Sequence, residues 1–249
     1  MKQDILDTIN SFEKELDIVS NKIKDENNTM FQFYKIIWSE EMNLINMNYI
    51  LYYRGIIGFP NEFTKDIFSL AYKNLISIYS CIDLIKRGLP SSAKIIFRNI
   101  YENLLIAKYF SVSKDIKNFN KWKNGEQLSI KNKIFSVINN KISKESIEFW
   151  DMLNKYTHGT VYAQDFALEY DKTIIEECNC FISVLLEMNY HLLNIHISKD
   201  CEYYLNRYNE EKYKLCKKHL KDGFSNSKQI LDPRCKKVIK DYIAKWDLS

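Results

Sequence analysis

Three prolines and six glycines in 249 residues leave this chain almost without helix breakers. The prolines stand at positions 60, 90 and 233, so long stretches of backbone can keep every intrahelical hydrogen bond, and the chain reads as all-α. Apolar residues make up 46% and charged residues 27%, a globular balance that can bury a proper core. No window approaches the roughly 20 uninterrupted apolar residues of a membrane span. Met1 to Asp7 shows no apolar run behind a basic start, so a soluble cytoplasmic protein without membrane contact is expected. The six cysteines, at 81, 178, 180, 201, 216 and 235, are then expected as reduced thiols rather than a disulfide framework. Lys, Ile, Asn and Tyr are abundant, as AT-rich coding produces, so single lysines and asparagines carry little weight.

Apolar periodicity divides the chain. Residues 2–27 carry Ile5, Ile9, Phe12, Leu16 and Ile18 or Val19 at steps of three to four, an amphipathic helix with one buried stripe, ended by Asp25 to Asn28. A second helix is expected from about Met30 to Tyr53, stopping at Arg54-Gly55. These two form an amino-terminal helical pair over residues 1–60. A third helix begins near Asn61, with a seam of Phe68, Tyr72, Leu75, Tyr79 and Ile82, and closes at Gly88-Leu89-Pro90. The next, Ser91 to Phe110, is apolar on nearly every side and belongs at the centre of an antiparallel bundle over residues 61–222. Residues 111–144 read as short peripheral helices. Helices follow over Ser146 to Tyr156, Thr173 to Ile197 and Glu202 to Leu220. Gly223 to Ser227 reads as a hinge opening a basic tail, residues 223–249, with a short helix from Cys235 to Trp246.

Within the most apolar helix, Arg98 and Glu102 fall on one face with Ser91, Ile95, Leu105 and Tyr109. Steps of three and four residues return to nearly the same direction, so both charges are expected among apolar neighbours. Burying either alone costs several kcal/mol, which calls for a mutual pair or one shared with another helix. A structural pair and a functional one both satisfy that demand.

The segment Tyr79 to Ala93, continuing through Phe97-Arg98-Asn99-Ile100-Tyr101-Glu102, resembles the core of bacterial HEPN-like proteins of unknown function: a helix, a small turn, an alanine, an arginine, three spacers and a glutamate. Leu153-Asn154-Lys155-Tyr156-Thr157-His158-Gly159 resembles the leucine-polar-x-tyrosine-x-histidine motif that follows in such proteins. The likeness covers residues 66–196. It implies an antiparallel bundle that forms homodimers, from a group rich in toxins and antiphage defence proteins, with an antitoxin or defence-system protein as partner. Active members of the wider superfamily carry R-N-x-x-x-H and cleave RNA without metal. Arg98 and Asn99 match that start, but Asn103 occupies the histidine position, and an amide cannot exchange protons near neutral pH as imidazole does.

The expectation is therefore an RNA-targeting protein with a relocated site. His158 would take the proton of a ribose 2′-hydroxyl, Glu102 would orient it, Arg98 would stabilise the phosphate, and Asn99, Asn103, Lys155 and Tyr156 would bind substrate. The alternative is a non-catalytic helical interaction or nucleic-acid-binding protein. No cofactor is implied: a glycine-rich phosphate loop, an Asp-x-Asp pair and a serine elbow are all missing. Cys216 and His219 have the spacing of a zinc half-site that Cys201 and Cys235 could complete. Residues 212–245 hold eleven Lys or Arg and three Asp, a local charge of +8 against +4 for the whole. With Tyr213, His219, Phe224, Tyr242 and Trp246 interleaved, that segment has the composition to hold a nucleic-acid backbone and stack on bases.

Overall fold

A computed structural model of the chain describes residues 2–59, 61–138, 142, 144–157, 171–197, 199–243 and 246. Those residues form ten α-helices and one π-helical turn, with no strand among them. The all-α bundle is as expected. No helix among the described residues is long and apolar enough to cross a membrane.

The expected amino-terminal pair is one helix, α1 (Lys2–Tyr53), of 52 residues and about 78 Å at 1.5 Å per residue. Asp25 to Asn28 lie within it and do not end it. Asn27 instead donates its Nδ2 to the Ile23 carbonyl at 3.1 Å and accepts from Asn179 Nδ2 at 3.0 Å, so its amide serves the helix and fastens it to a neighbour. From Asn10 onward, burial begins near Ser20. Phe12 and Ile18, expected in a buried stripe, are 46% and 60% exposed, whereas Ile23, Phe31, Tyr34 and Ile37 are sealed.

From α1 the chain turns through Gly55, in the left-handed region, into α2 (Thr64–Lys86) and then α3 (Pro90–Ser113). The tight connection depends on Gly88 at φ +80°, where a Cβ would stand 3.1 Å from Val19. Pro90 occupies the first turn of α3, where its missing N–H costs nothing. Ser20 Oγ donates to the Lys86 carbonyl at 2.6 Å, so α1 satisfies the end of α2.

The lysine-rich stretch after α3 forms α4 (Ile116–Lys123), a π turn (Ile130–Ile134) and α5 (Phe135–Ile138). Then come α6 (Lys144–Thr157), α7 (Lys172–His196), α8 (Lys199–Tyr208), α9 (Glu210–Ile230) and α10 (Pro233–Ile243). Helices α2, α3 and α7 pack on one another, with α1 along α2, α7 and α9, and α6 against α3 and α10. The expected helix Glu202 to Leu220 is two, broken at Asn209 (φ −146°).

The proposed hinge at Gly223 is the interior of α9, and the helix crosses it unbroken. The glycine serves a close approach instead: a Cβ there would lie 2.8 Å from Ile37 Cγ1 on α1. Gly223→Ala gains about 1 kcal/mol of helix propensity but overpacks the crossing, which costs about 1–3 kcal/mol. We expect a net loss near 1 kcal/mol in urea denaturation; a gain in stability would show that α1 and α9 can part freely. The basic tail is docked as well. Trp246 is fully buried; its carbonyl accepts from Lys108 Nζ at 2.7 Å and its indole donates to the Met188 carbonyl at 3.1 Å.

Candidate functional site

Helix α3 presents a line of side chains at steps of four: Lys94, Arg98, Glu102 and Ile106. Arg98 Nη2 donates to Glu102 Oε1 at 2.8 Å, with the two side chains 29% and 26% exposed. The pair is mutual, as charge burial demands, but apolar neighbours do not seal it. It forms the floor of a groove of about 450 Å³ between α3, the residue 125–131 segment and α6. The cause lies in the chain's path: α4 leaves the bundle after Lys114, in the left-handed region at φ 50°, and the return through the π turn arches over this side of α3. An open (i, i+4) pair of this kind contributes only about 0.3–0.5 kcal/mol, so stability alone gives it little purpose.

Trp122, Trp150 and Lys131 line the same groove. The Trp150 ring stands edge-on to Phe135 at 5.7 Å, and the Lys131 ammonium lies 5.8 Å from its centroid. Two buried donors of the lining residues, Arg98 Nε and Trp150 Nε1, find no acceptor among the described residues. Glu102 and Glu126 balance Arg98 and Lys131 in the lining, so the two indoles, which suit a ligand carrying a flat ring, are its distinguishing feature.

One turn toward the start of α3, Lys94 is buried. Its Nζ lies 2.5 Å from Glu177 Oε2 on α7 and 4.4 Å from the ring centroid of Tyr156 on α6. Tyr156 donates its hydroxyl to Glu177 Oε1 at 3.0 Å. Burial pulls the Lys94 ammonium toward neutrality, but the Glu177 hydrogen bond and charge overcome it and raise its pKa. Burial, then the Glu177 charge, pushes the Tyr156 phenol up to about 12, so it is an uncharged donor at neutral pH and not a base. Three helices are thus pinned together beside Arg98.

Of the residues expected in a site, Arg98 and Glu102 meet in the groove, and Tyr156 stands one α3 turn away at Lys94. Asn99 and Asn103 lie on the neighbouring face, toward α2. Asn103 Nδ2 donates to Asn74 Oδ1 at 3.0 Å and to Asn99 Oδ1 at 3.2 Å, so the amide in the histidine position of R-N-x-x-x-H helps hold α3 on α2. Lys155 is exposed on α6. His158 lies outside the described residues.

Sequence reasoning missed Lys94, Glu177 and the two groove tryptophans. Lys94 was within reach, since it precedes Arg98 by the same four residues that separate Arg98 from Glu102. Trp122 and Trp150 sit in polar or weakly patterned stretches, and only the tertiary arch brings them together.

The zinc set is not assembled: among the described residues no three His, Cys, Asp or Glu side chains gather around a point. Cys216 donates to the Glu40 carbonyl at 3.3 Å, His219 Nδ1 pairs with Glu40 Oε1 at 2.7 Å, and Cys201 donates to Asn48 Oδ1 at 2.5 Å. Nor do the aromatics of the basic segment face outward. Tyr213 and Trp246 are buried, Phe224 packs on Tyr190 and Tyr242 stacks on Phe149, which leaves lysines without stacking platforms.

Residues 66–172 match the model of a family described only as a family of unknown function, DUF5677. That span is less than half of the chain and takes in α2, α3 and α6, which carry Arg98, Glu102 and Tyr156. No curated protein and no solved structure matches the chain.

Proposed function

We propose that the protein binds single-stranded RNA in the α3 groove and cleaves it without a metal ion, as a toxin or defence-type endoribonuclease acting as a homodimer. The observation that carries this reading is the open position of Arg98–Glu102, a pair of little structural worth placed on a groove floor beside Trp122, Trp150 and Lys131. The resemblance to HEPN-like proteins supports it, and so does the end of α6, which delivers Tyr156, two residues before His158 in the sequence, to Lys94.

In this mechanism His158 removes the 2′-hydroxyl proton, the 2′-oxygen attacks the adjacent phosphorus, and the 5′-oxygen leaves with a proton, which produces a 2′,3′-cyclic phosphate. Arg98 holds the charge that grows on the phosphate, and Glu102 orients the imidazole. A mixed RNA pool incubated with purified protein in EDTA tests this. The wild type should cut RNA and spare DNA of the same sequence, while folded Arg98→Ala and His158→Ala variants should each lose about 100-fold or more of the rate. Equal cutting of DNA, or full activity in both variants, would sink the mechanism.

A second reading has its own observation. Asn103 and Asn99 are committed to the α2 contact, as they would be in a non-catalytic interaction protein. Intact RNA after incubation with folded wild-type protein favours that reading.

A further inference from the structure

A second cavity lies away from the groove. It holds about 580 Å³ between α1, the start of α7 and the start of α10, and Glu26, Lys172, Glu176, Asp232 and Cys235 are among the residues that line it. Cys235 is half-buried, whereas the other five cysteines are buried, and all six are free thiols. Behind Cys235, at the contact of α10 on α7, stands Cys180. Cys180 Sγ lies 3.9 Å from the Cys235 carbonyl, and Cys235 Sγ lies 3.9 Å from the carbonyl of Glu176, one turn before Cys180. The two cysteines are therefore neighbours across the α7–α10 contact.

We infer that Cys235 and Cys180 are a peroxide-reactive pair, with Cys235 the thiol that meets a small hydroperoxide entering the cavity and Cys180 the thiol that resolves it. The asymmetry of the pair assigns the roles. Cys235 is half-buried and lines the cavity, whereas Cys180 is buried behind it; the contact with Cys180 also holds the Cys235 thiol below its ordinary value, against burial and the nearby Asp232 and Glu176 charges, and Cys180 is raised. Position 235 also lies in the first turn of α10, where backbone N–H groups favour a thiolate. The remaining thiols are poor nucleophiles, since burial pushes Cys178, Cys201 and Cys216 up to about 12 and raises Cys81 further. An accessible thiol of lowered pKa beside a resolving thiol is the arrangement that oxidises reversibly.

The chemistry balances in two steps. The Cys235 thiolate attacks one peroxide oxygen, the O–O bond breaks, and hydroxide leaves with Cys235 as sulfenic acid. Cys180 sulfur then attacks the Cys235 sulfur; the S–S bond forms, the S–O bond breaks, and the departing hydroxide takes the Cys180 proton as water. The peroxide is reduced by two electrons, which the two thiols supply. Glu26, Glu176 and Asp232 make the cavity wall acidic, so a neutral hydroperoxide is admitted more readily than an anionic disulfide such as oxidised glutathione.

Treating the full chain with equimolar hydrogen peroxide, then alkylating under denaturing conditions and mapping the peptides, tests the pair. The wild type should retain four alkylatable thiols of its six, with one linked peptide pair containing Cys180 and Cys235. A Cys180→Ser variant should accumulate a sulfenic acid at Cys235 that dimedone traps, and Cys235→Ser should keep all five of its thiols. Six alkylatable thiols in peroxide-treated wild type, a link elsewhere, or faster linkage by oxidised glutathione than by peroxide would overturn the proposal. Should the buried Cys180→Ser variant fail to fold, the wild-type map decides alone.

Discussion

Glu177→Ala is expected to destabilise the fold by about 3 kcal/mol, the lower end of the range for breaking a buried pair. Lys94 is 8% exposed and Glu177 31%, so the substitution leaves a cation that water barely reaches, while Glu177 itself is wet enough to keep the loss from being larger. The two halves of the pair are unequal for the same reason. Lys94→Met removes the charge that needs a partner and leaves a carboxylate that solvent can serve, so its cost is about 1 kcal/mol. The pH dependence separates this account from simple loss of packing. In the wild type the Lys94 pKa is raised from 10.5, so the folded state keeps a proton the unfolded chain has begun to release, and stability falls only above about pH 10.5. In Glu177→Ala burial alone acts on Lys94, its folded pKa drops below the unfolded one, and stability rises as pH climbs toward 10.5. The deficit against wild type, measured by urea denaturation at about pH 7 and about pH 9.5, should shrink. If Glu177→Ala costs no more than Lys94→Met, the pair is not what pins α6 to α3 and α7.

The parts of this fold legible in sequence are those fixed by local chemistry. Scarce glycine and proline dictated helices; Gly88 and Pro90 marked the α2–α3 turn; the apolar periodicity of Ser91 to Phe110 put α3 at the centre. What escaped depends on partners far along the chain. Asp25 to Asn28 resembles a helix end, yet Asn27 is stabilised by its bond to Asn179, 152 residues away. Gly223 resembles a hinge until Ile37 is placed against it. Arg98 and Glu102 were legible as a mutual pair, because the four-residue spacing is local, but not as the floor of a groove, because the segment that leaves them open is shaped elsewhere. Asparagines set aside as a product of coding bias include four that form one string, exposed at Asn99 and buried at Asn74 and Asn189.

That string gives the second large effect. Asn103 donates to Asn74 at 3.0 Å, Asn74 to Asn189 at 3.4 Å, and Asn189 to Glu41 Oε2 at 2.8 Å, with Asn99 accepting from Asn103 at its outer end. From Asn103 inward, each bond points its N–H toward Glu41. The carboxyl is fully buried and its Oε1 has no partner among the described residues. Burial drives its pKa well above the ordinary 4.5, against the opposing pull of Asn189, so one donated hydrogen bond does not compensate desolvation and the group is held as the neutral acid. Above pH 4.5 the unfolded chain gives up this proton while the folded chain keeps it, and stability falls by up to about 1.4 kcal/mol per pH unit until the folded group ionises. Glu41→Gln has nearly the same shape, still accepts from Asn189 and cannot titrate. It should match the wild type within about 1 kcal/mol near pH 4 and overtake it as pH rises. Glu41→Ala should lose about 2–4 kcal/mol near pH 4, since it opens a cavity and strands the Asn189 amide, and because it cannot titrate either, that deficit should shrink as pH rises. Urea denaturation of the three proteins across pH 4 to 8 reads the slopes directly. Parallel curves for wild type and Glu41→Gln would mean that the carboxylate is charged within the bundle, and the alignment of the amide string rather than burial would then set its state.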